Sequence, residues 1–499
     1  MKTVTNYSPN IKILSLILSL LIIFYLTPAS VFAEGLSNDT AISNSSVSET
    51  NENNNGLENY NPTANHSAGV GGVGSINLAT GKLTLEIPTL TTTDSLFAFT
   101  PTLVYNSSLA GKAVTSENAD VAFDTSYMPD GFKLNIQETI IEKSYYNENN
   151  VSHTYYSLYD SDGTTHCFYP NDENTEYYDD SGLRLKLTFF GGDIKIANTS
   201  QTVRTYSAIN GSSWHLTSIT DKYGNQLIFE FNASYQPTKV IVKPNGLSNI
   251  EILSFLYEND KLIAVYNDAS KASVIFNCSN GNLSQVSYCY GNENTTEQNV
   301  RGAYNDLDSA ENIVVFASAM YITNNSGEIT GVRDLTTTEI VYYQTSNGKI
   351  TKVIEYANNT LGQQVSYTYG NGYTDVRSTG NDETLDTDDD IITRYILDEK
   401  NRAVSVYSMS ADSGEIYGIT TSTYEEDNII KNNLKESTAL QGVDPDDVIE
   451  SSSGSEYFAT IDTDGTTGVY KQTVFLEENV ASLTESNANM EYIISGFGY

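Results

Sequence analysis

Gly327-Glu328-Ile329-Thr330-Gly331-Val332-Arg333-Asp334 is answered 21 residues later by Gly348-Lys349-Ile350-Thr351-Lys352-Val353-Ile354-Glu355. Each phrase is a turn, an apolar residue, two spacer residues, a β-branched residue and a closing acid. The phrase occurs earlier as Leu216-Thr217-Ser218-Ile219-Thr220-Asp221, as Leu262-Ile263-Ala264-Val265-Tyr266-Asn267-Asp268 and as Asn282-Leu283-Ser284-Gln285-Val286. Weaker copies begin at Pro237, Tyr373 and Ala403. The first apolar positions, 216, 237, 262, 283, 329, 350, 373 and 403, are spaced by 21, 25, 21, 46, 21, 23 and 30 residues. The interval of 46 reads as two units with one rung degraded, and the interval of 30 holds an acidic insert. A step near 21 marks stacked supersecondary units.

Between rungs the sequence alternates. Leu227, Phe229 and Phe231 share one face, as do Val286, Tyr288 and Tyr290, and Val365, Tyr367 and Tyr369. That is the period of a strand. Gly224-Asn225, Asn245-Gly246, Asn280-Gly281 and Asn347-Gly348 supply the turns. Each unit is therefore a hairpin, which cannot bury its apolar face alone and must pair with its neighbours in a long sheet. Ile350 and Val353 are expected to fill the layer that Ile329 and Val332 fill one unit earlier, with Thr351 pointing the other way.

The stretch from Leu216 through Asp221-Lys222-Tyr223-Gly224-Asn225 to Phe231 resembles an RHS repeat, also called a YD repeat, of bacterial surface proteins. Upstream, Ser75-Ile76-Asn77-Leu78-Ala79-Thr80-Gly81-Lys82-Leu83 and Asp130-Gly131-Phe132-Lys133-Leu134-Asn135 are similar to the opening of such proteins, and Asp160-Ser161-Asp162-Gly163 to the segment before the repeats. The resemblance covers roughly residues 72–425. It implies an all-β chain: a β-rich N-terminal domain at 72–205, capping the shell, and repeats at 206–425 that coil a long antiparallel sheet into a partial shell. Residues 426–499 look like the first strands of a carbohydrate-binding-like β-sandwich, broken off at Tyr499 as in a truncated product.

Residues 1–33 read as a secretory signal peptide: Lys2 and Lys12, an apolar run over 13–26, and Val31-Phe32-Ala33 before Glu34. The alternative, a membrane anchor, needs about 20 apolar residues. The chain is expected outside the cell, secreted or on its surface. Its formal net charge is −37, with 63 acidic and 26 basic residues. Such a surface excludes nucleic acid and anionic membranes as partners. Residues 34–71 are dense in Asn, Ser and Thr, and read as a disordered linker ending in a glycine hinge at 69–74. No helical pattern of useful length follows the signal peptide.

Chemistry is sparse. Cys167, Cys278 and Cys289 form no C-x-x-C; Cys278 and Cys289 read as buried free thiols, with a disulfide as the alternative. His66 lies in the linker; His153, His166 and His215 lack the spacing of a catalytic or metal set. Asp386, Asp388 and Asp390 have the alternation of a calcium loop, but Ile391 and Leu397 stand where its glycine and glutamate belong. The run at 382–390 reads as a solvated insert. Val443-Asp444-Pro445-Asp446 lacks the context of the toxin-releasing core found in the family. No catalytic, cofactor or metal residues are assigned and no enzyme is expected. What the resemblance implies is a shell or scaffold for a polymorphic-toxin system, with a C-terminal toxin cargo or its immunity protein as partner. The alternative is an adhesin whose tyrosine-rich faces hold cell-wall glycan.

Overall fold

The computed structural model describes residues 60–424, apart from internal stretches at 93–97, 112–125, 147–149, 172–174 and a few shorter ones, together with strands at 434–443, 448–450 and 457–459. The expected signal peptide, and the tail beyond 459, lie outside the described residues. The chain is all-β, as its alternation requires. Five strands form a first sheet in chain order: β1 (Thr63–Ser67), β2 (Val73–Asn77), β3 (Leu83–Pro88), β4 (Thr102–Asn106) and β5 (Phe132–Leu134).

A continuous antiparallel meander of 24 strands follows. Its first eight are β6 (Thr139–Tyr146), β7 (Ser152–Tyr159), β8 (Thr165–Pro170), β9 (Tyr177–Asp179), β10 (Lys186–Phe190), β11 (Asp193–Ala197), β12 (Val203–Asn210) and β13 (Ser213–Thr220). They close into a ring, because Ser213, Trp214 and His215 pair back with Ile141, Ile140 and Thr139. The other end of β13, from Ser218 to Thr220, pairs instead with β14 (Gln226–Phe231) and releases the meander from the ring.

The meander continues through β15 (Pro237–Lys243), β16 (Ile250–Glu258), β17 (Lys261–Asn267), β18 (Ala272–Ser279), β19 (Asn282–Gly291), β20 (Ile313–Thr323), β21 (Ile329–Asp334) and β22 (Ile340–Ser346). It ends through β23 (Lys349–Ala357), β24 (Thr360–Tyr369), β25 (Tyr373–Ser378), β26 (Ile391–Leu397), β27 (Ala403–Ser410), β28 (Ile416–Tyr424) and β29 (Leu434–Val443). A separate pair, β30 (Val448–Glu450) and β31 (Tyr457–Ala459), stands apart from this sheet.

Every rung of the ladder falls in an odd-numbered strand, from β13 to β27. A spacing of three should set its two apolar residues on opposite faces, since side chains alternate. They lie on one face: Leu262 and Val265, Leu283 and Val286, Ile329 and Val332, and Ile350 and Val353 are all buried in one core cluster. A β-bulge reconciles the two. Thr345 faces Ile350 and Gln344 faces Lys352, which leaves Thr351 extra. The same count leaves over Thr217, Thr238, Ile263, Ser284, Thr330 and Val404. One added residue restores the phase of the strand. Only the weak rung at Tyr373 runs in unshifted register.

The hydroxyl at the bulge closes the gap that the extra residue opens. Thr217, Thr238, Ser284, Thr330 and Thr351 donate to the carbonyls of Thr205, Glu230, Asn277, Ile322 and Gln344 at 3.1, 3.1, 2.8, 3.2 and 3.3 Å. A tyrosine of the following strand secures three rungs from the other side. Tyr257, Tyr369 and Tyr424 donate to the carbonyls of Pro237, Ile350 and Ala403 at 2.7, 2.7 and 2.9 Å. At the turns, Asp221, Asn324 and Asp398 each accept the backbone N–H groups two and four residues on.

Several expectations are corrected. The interval of 46 is one hairpin step from β19 to β21, lengthened by a helix, α1 (Glu297–Asn305), which the sequence reading denied. The helix places Val300 and Ala303 over Leu256, Ile263, Ala264, Tyr266, Ile275 and Cys289 on the sheet's outer face. The linker expected through residue 71 ends by Thr63, where β1 pairs with β2. The boundary at 205 runs through β12, and the one at 426 falls short, since β29 pairs with β28 and extends the same sheet.

The bulge sets the expected energetics. Ile329→Ala and Ile350→Ala should each cost about 2–5 kcal/mol, as buried isoleucines do. Ser284→Ala should cost about 1 kcal/mol for its cross-strand hydrogen bond. Deleting Thr351 sets Ile350 and Val353 two apart, which is the strand's own period, so both stay inward and the deletion should cost less than Ile350→Ala. Urea unfolding of the four variants gives the order.

Candidate functional site

A bulge frees an N–H, and here those donors meet the N-terminal segment. The N–H groups of Leu216, Leu262 and Ile350 donate to the carbonyls of Glu138, Tyr127 and Gly81 at 3.2, 2.9 and 2.8 Å. That of Ile329 donates to the Tyr105 hydroxyl at 3.0 Å. The first sheet is thereby seated on the inner face of the meander, and its Ile76, Leu83, Leu85, Leu103 and Leu134 join the rung residues in one core. Tyr321 and Tyr288 reach from the meander to the carbonyls of Gly71 and Pro88 at 3.1 and 2.8 Å. Asp334 accepts from the N–H of Val70 at 3.1 Å.

The segment read as a glycine hinge is the tightest part of this seam. A Cβ on Gly71 would lie 2.3 Å from Val332 Cγ1, and one on Gly74 would lie 2.3 Å from the Tyr343 hydroxyl. The glycines serve close approach, not flexibility.

His66, expected in a linker, is buried at the centre of the seam. Its Nδ1 lies 2.9 Å from Glu355 Oε1 and its Nε2 lies 2.6 Å from the Tyr367 hydroxyl. Burial, with neighbouring tyrosines and Glu355, pushes the Tyr367 hydroxyl up, so it remains protonated. One arrangement satisfies all three groups: Tyr367 donates to Nε2, and Nδ1–H donates to Glu355. The three residues are 289 and 301 positions apart, so no local pattern announces them.

A second relay lies where the first sheet meets the ring. Ser181 Oγ is 2.7 Å from His166 Nδ1, and His166 Nε2 is 3.1 Å from Asp160 Oδ2. Burial would raise Asp160, but hydrogen bonds from the Asp162 carboxyl and the His166 ring hold it below the carboxylate range. Burial and the Asp160 charge raise Asp162. Serine, histidine and aspartate in this order have the connectivity of a hydrolytic triad. Ser181, however, is 2% exposed, so its hydroxyl is closed to any substrate. Asp160 Oδ1 also accepts the N–H groups of Asp162 and Thr164, as a turn-forming aspartate does. The cluster is structural.

The remaining expected positions are scattered. His153 stacks on Tyr145 at 5.3 Å, and His215 packs edge-on against Phe231 and Tyr235. Cys167 and Cys289 are buried thiols, while Cys278 is an exposed thiol; Cys278 faces Leu283 and Cys289 faces Ser273, so their strands hold the two apart. The acidic run is not a merely solvated insert. Asp390 is fully buried and accepts from Arg377 Nε at 2.6 Å, and from the N–H groups of Gly380, Asp386 and Thr387. Among the described residues no group of three or more His, Cys, Asp or Glu side chains is placed to hold a metal ion. Among the same residues no helix is long and apolar enough to cross a membrane.

No family model matches the sequence, and no curated protein matches it. Among solved structures the chain is similar to the Tc holotoxin pore of Photorhabdus luminescens, at 10% identity and a TM-score of 0.34 over 73% of this chain. The chain spans 17% of that structure's chain. It is also similar to a porin-like protein from Bacteroides uniformis, at 14% identity and a TM-score of 0.16, over 44% of this chain and 94% of that one. At these scores neither likeness bears on fold or function.

Three outcomes check the seam and its surroundings. His66→Ala strands Glu355 and Tyr367 and should cost about 1–3 kcal/mol, with residues 60–134 becoming the first target of limited proteolysis. Asp390→Ala should destabilise by a similar amount, because it removes the acceptor of Arg377 Nε and of three N–H groups. Burial lowers the pKa of His215 below its ordinary 6.5. The unfolded chain then takes the proton first, so stability should fall as the pH drops through about 6.5. His215→Gln should flatten that part of a melting-temperature profile.

Proposed function

We propose that the chain is a scaffold: the structural part of a secreted or cell-surface assembly of the RHS type, which houses and delivers a C-terminal toxin cargo. The observation that supports this reading is the inner face of the meander. From β13 to β25 it presents rung after rung of buried apolar side chains to a body enclosed by the sheet, and that body is the chain's own N-terminal sheet. A surface of this kind holds a guest by packing and by backbone hydrogen bonds. Among the described residues the two histidine relays are buried, and we assign no catalytic role.

The reading has a direct test. Protein captured from its native source with an antibody to residues 206–425 should bring down an additional domain or protein, and trypsin should digest that guest only once the sheet is unfolded. Capture of the chain alone, with retention on purified cell-wall glycan, would turn the assignment to the adhesin.

A further inference from the structure

The outer face of the meander is covered by α1 over β16–β19, and among the described residues nothing covers it beyond. The register places two apolar rows there. Met320, Arg333, Ile340, Tyr356 and Leu361 oppose one another in turn across β20–β24, and Ile322, Gly331, Tyr342 and Ile354 form the next row. Gly331 lets the Tyr342 ring and the Ile322 side chain close over it: a Cβ would lie 3.0 and 3.2 Å from them. Above these rows Tyr290 and Phe316 stack at 4.4 Å, 54% and 49% exposed, beside Val314 at 68%. Met320 and Leu361 are 42% and 43% exposed. Exposed apolar surface of this extent marks an interaction site.

Its charge is as distinctive as its hydropathy. In a chain of net charge −37, the six strands β19–β24 hold two carboxylates, Asp334 and Glu355. Both turn to the inner face, where Asp334 meets Val70 and Glu355 meets His66. The outer face carries Arg333 and Lys352. Aromatic residues, methionine and arginine with few acids is the composition of a protein interface core.

We propose that this face seats a second copy of the same chain. Two copies of so acidic a protein repel over most of their surfaces, and the acid-free face is where they can approach closely. Five strand spacings by nine residues of β20 give about 24 by 30 Å, or about 700 Å² per copy, close to the ~800 Å² per partner of a standard interface. A two-fold pairing makes the contact self-complementary. The acidic insert borders the face: Arg377, which holds it through Asp390 and Asp386, shares a row with Lys352 and Ser366. The insert of one copy thus supplies carboxylates for Arg333 and Lys352 of the other.

Sedimentation equilibrium of the full chain over a concentration series tests this. A monomer–dimer equilibrium is expected. Met320→Glu with Leu361→Glu should abolish the dimer and leave the melting temperature within about 2 °C, since both side chains are exposed. Should that pair fail to fold, Arg333→Glu alone should raise the dimer dissociation constant about tenfold or more. A chain that remains monomeric at about 100 μM overturns the proposal. So does a dimer indifferent to all these variants, and so does a monomer that these variants release from soluble cell-wall glycan.

Discussion

The extra residue in seven of the eight odd-numbered strands from β13 to β27 is the constraint on which the rest depends. A strand has a period of two and the repeat places its anchors three apart. Without the bulge, each hairpin would turn one anchor outward. With it, Ile350 and Val353 face one core, and Thr351 is left over between them. The hydroxyl of Thr351 satisfies the Gln344 carbonyl, which the shifted ladder would otherwise leave to water. The threonine in the phrase is therefore a consequence of the spacing, and the apolar spacing would fail without a residue able to sit there.

The same irregularity joins the two sheets. A regular ladder uses its N–H groups within the sheet. Each bulge releases one, and four of them are taken up by Glu138, Tyr127, Gly81 and Tyr105 of the N-terminal segment. Apolar burial supplies the adhesion between the sheets, and these donors fix the register of one on the other. The glycines at 71 and 74 complete the fit by admitting Val332 and Tyr343 where any side chain would collide.

Much of this was legible in the sequence, because it is local. The rungs, their step, the turns at Asn280-Gly281 and Asn347-Gly348 and the all-β class follow from neighbours in the chain. What was missed is long-range or masked by composition. His66 sits in a run of polar residues, and its partners lie 289 and 301 residues away. A glycine cluster reads the same whether it serves motion or close packing. The helix at 297–305 has only two buried residues, Val300 and Ala303, so its apolar period is too thin to register. Asp390 looks like its acidic neighbours until Arg377 is brought across from β25.

The seating of the N-terminal sheet has a consequence for the order of events as the chain is made. Hairpins of the meander pair with their immediate neighbours and can zip as they emerge, since closing a short loop is fast. The first sheet cannot finish in that order. Its partners at Ile329, Ile350, Glu355, Tyr367 and Thr374 arrive some 200–300 residues later. The earliest segment to appear is thus among the last to find its seat. Until then both the inner face and the apolar side of β1–β5 remain open, and a chain of this design depends on its high negative charge to stay apart from its neighbours during the wait.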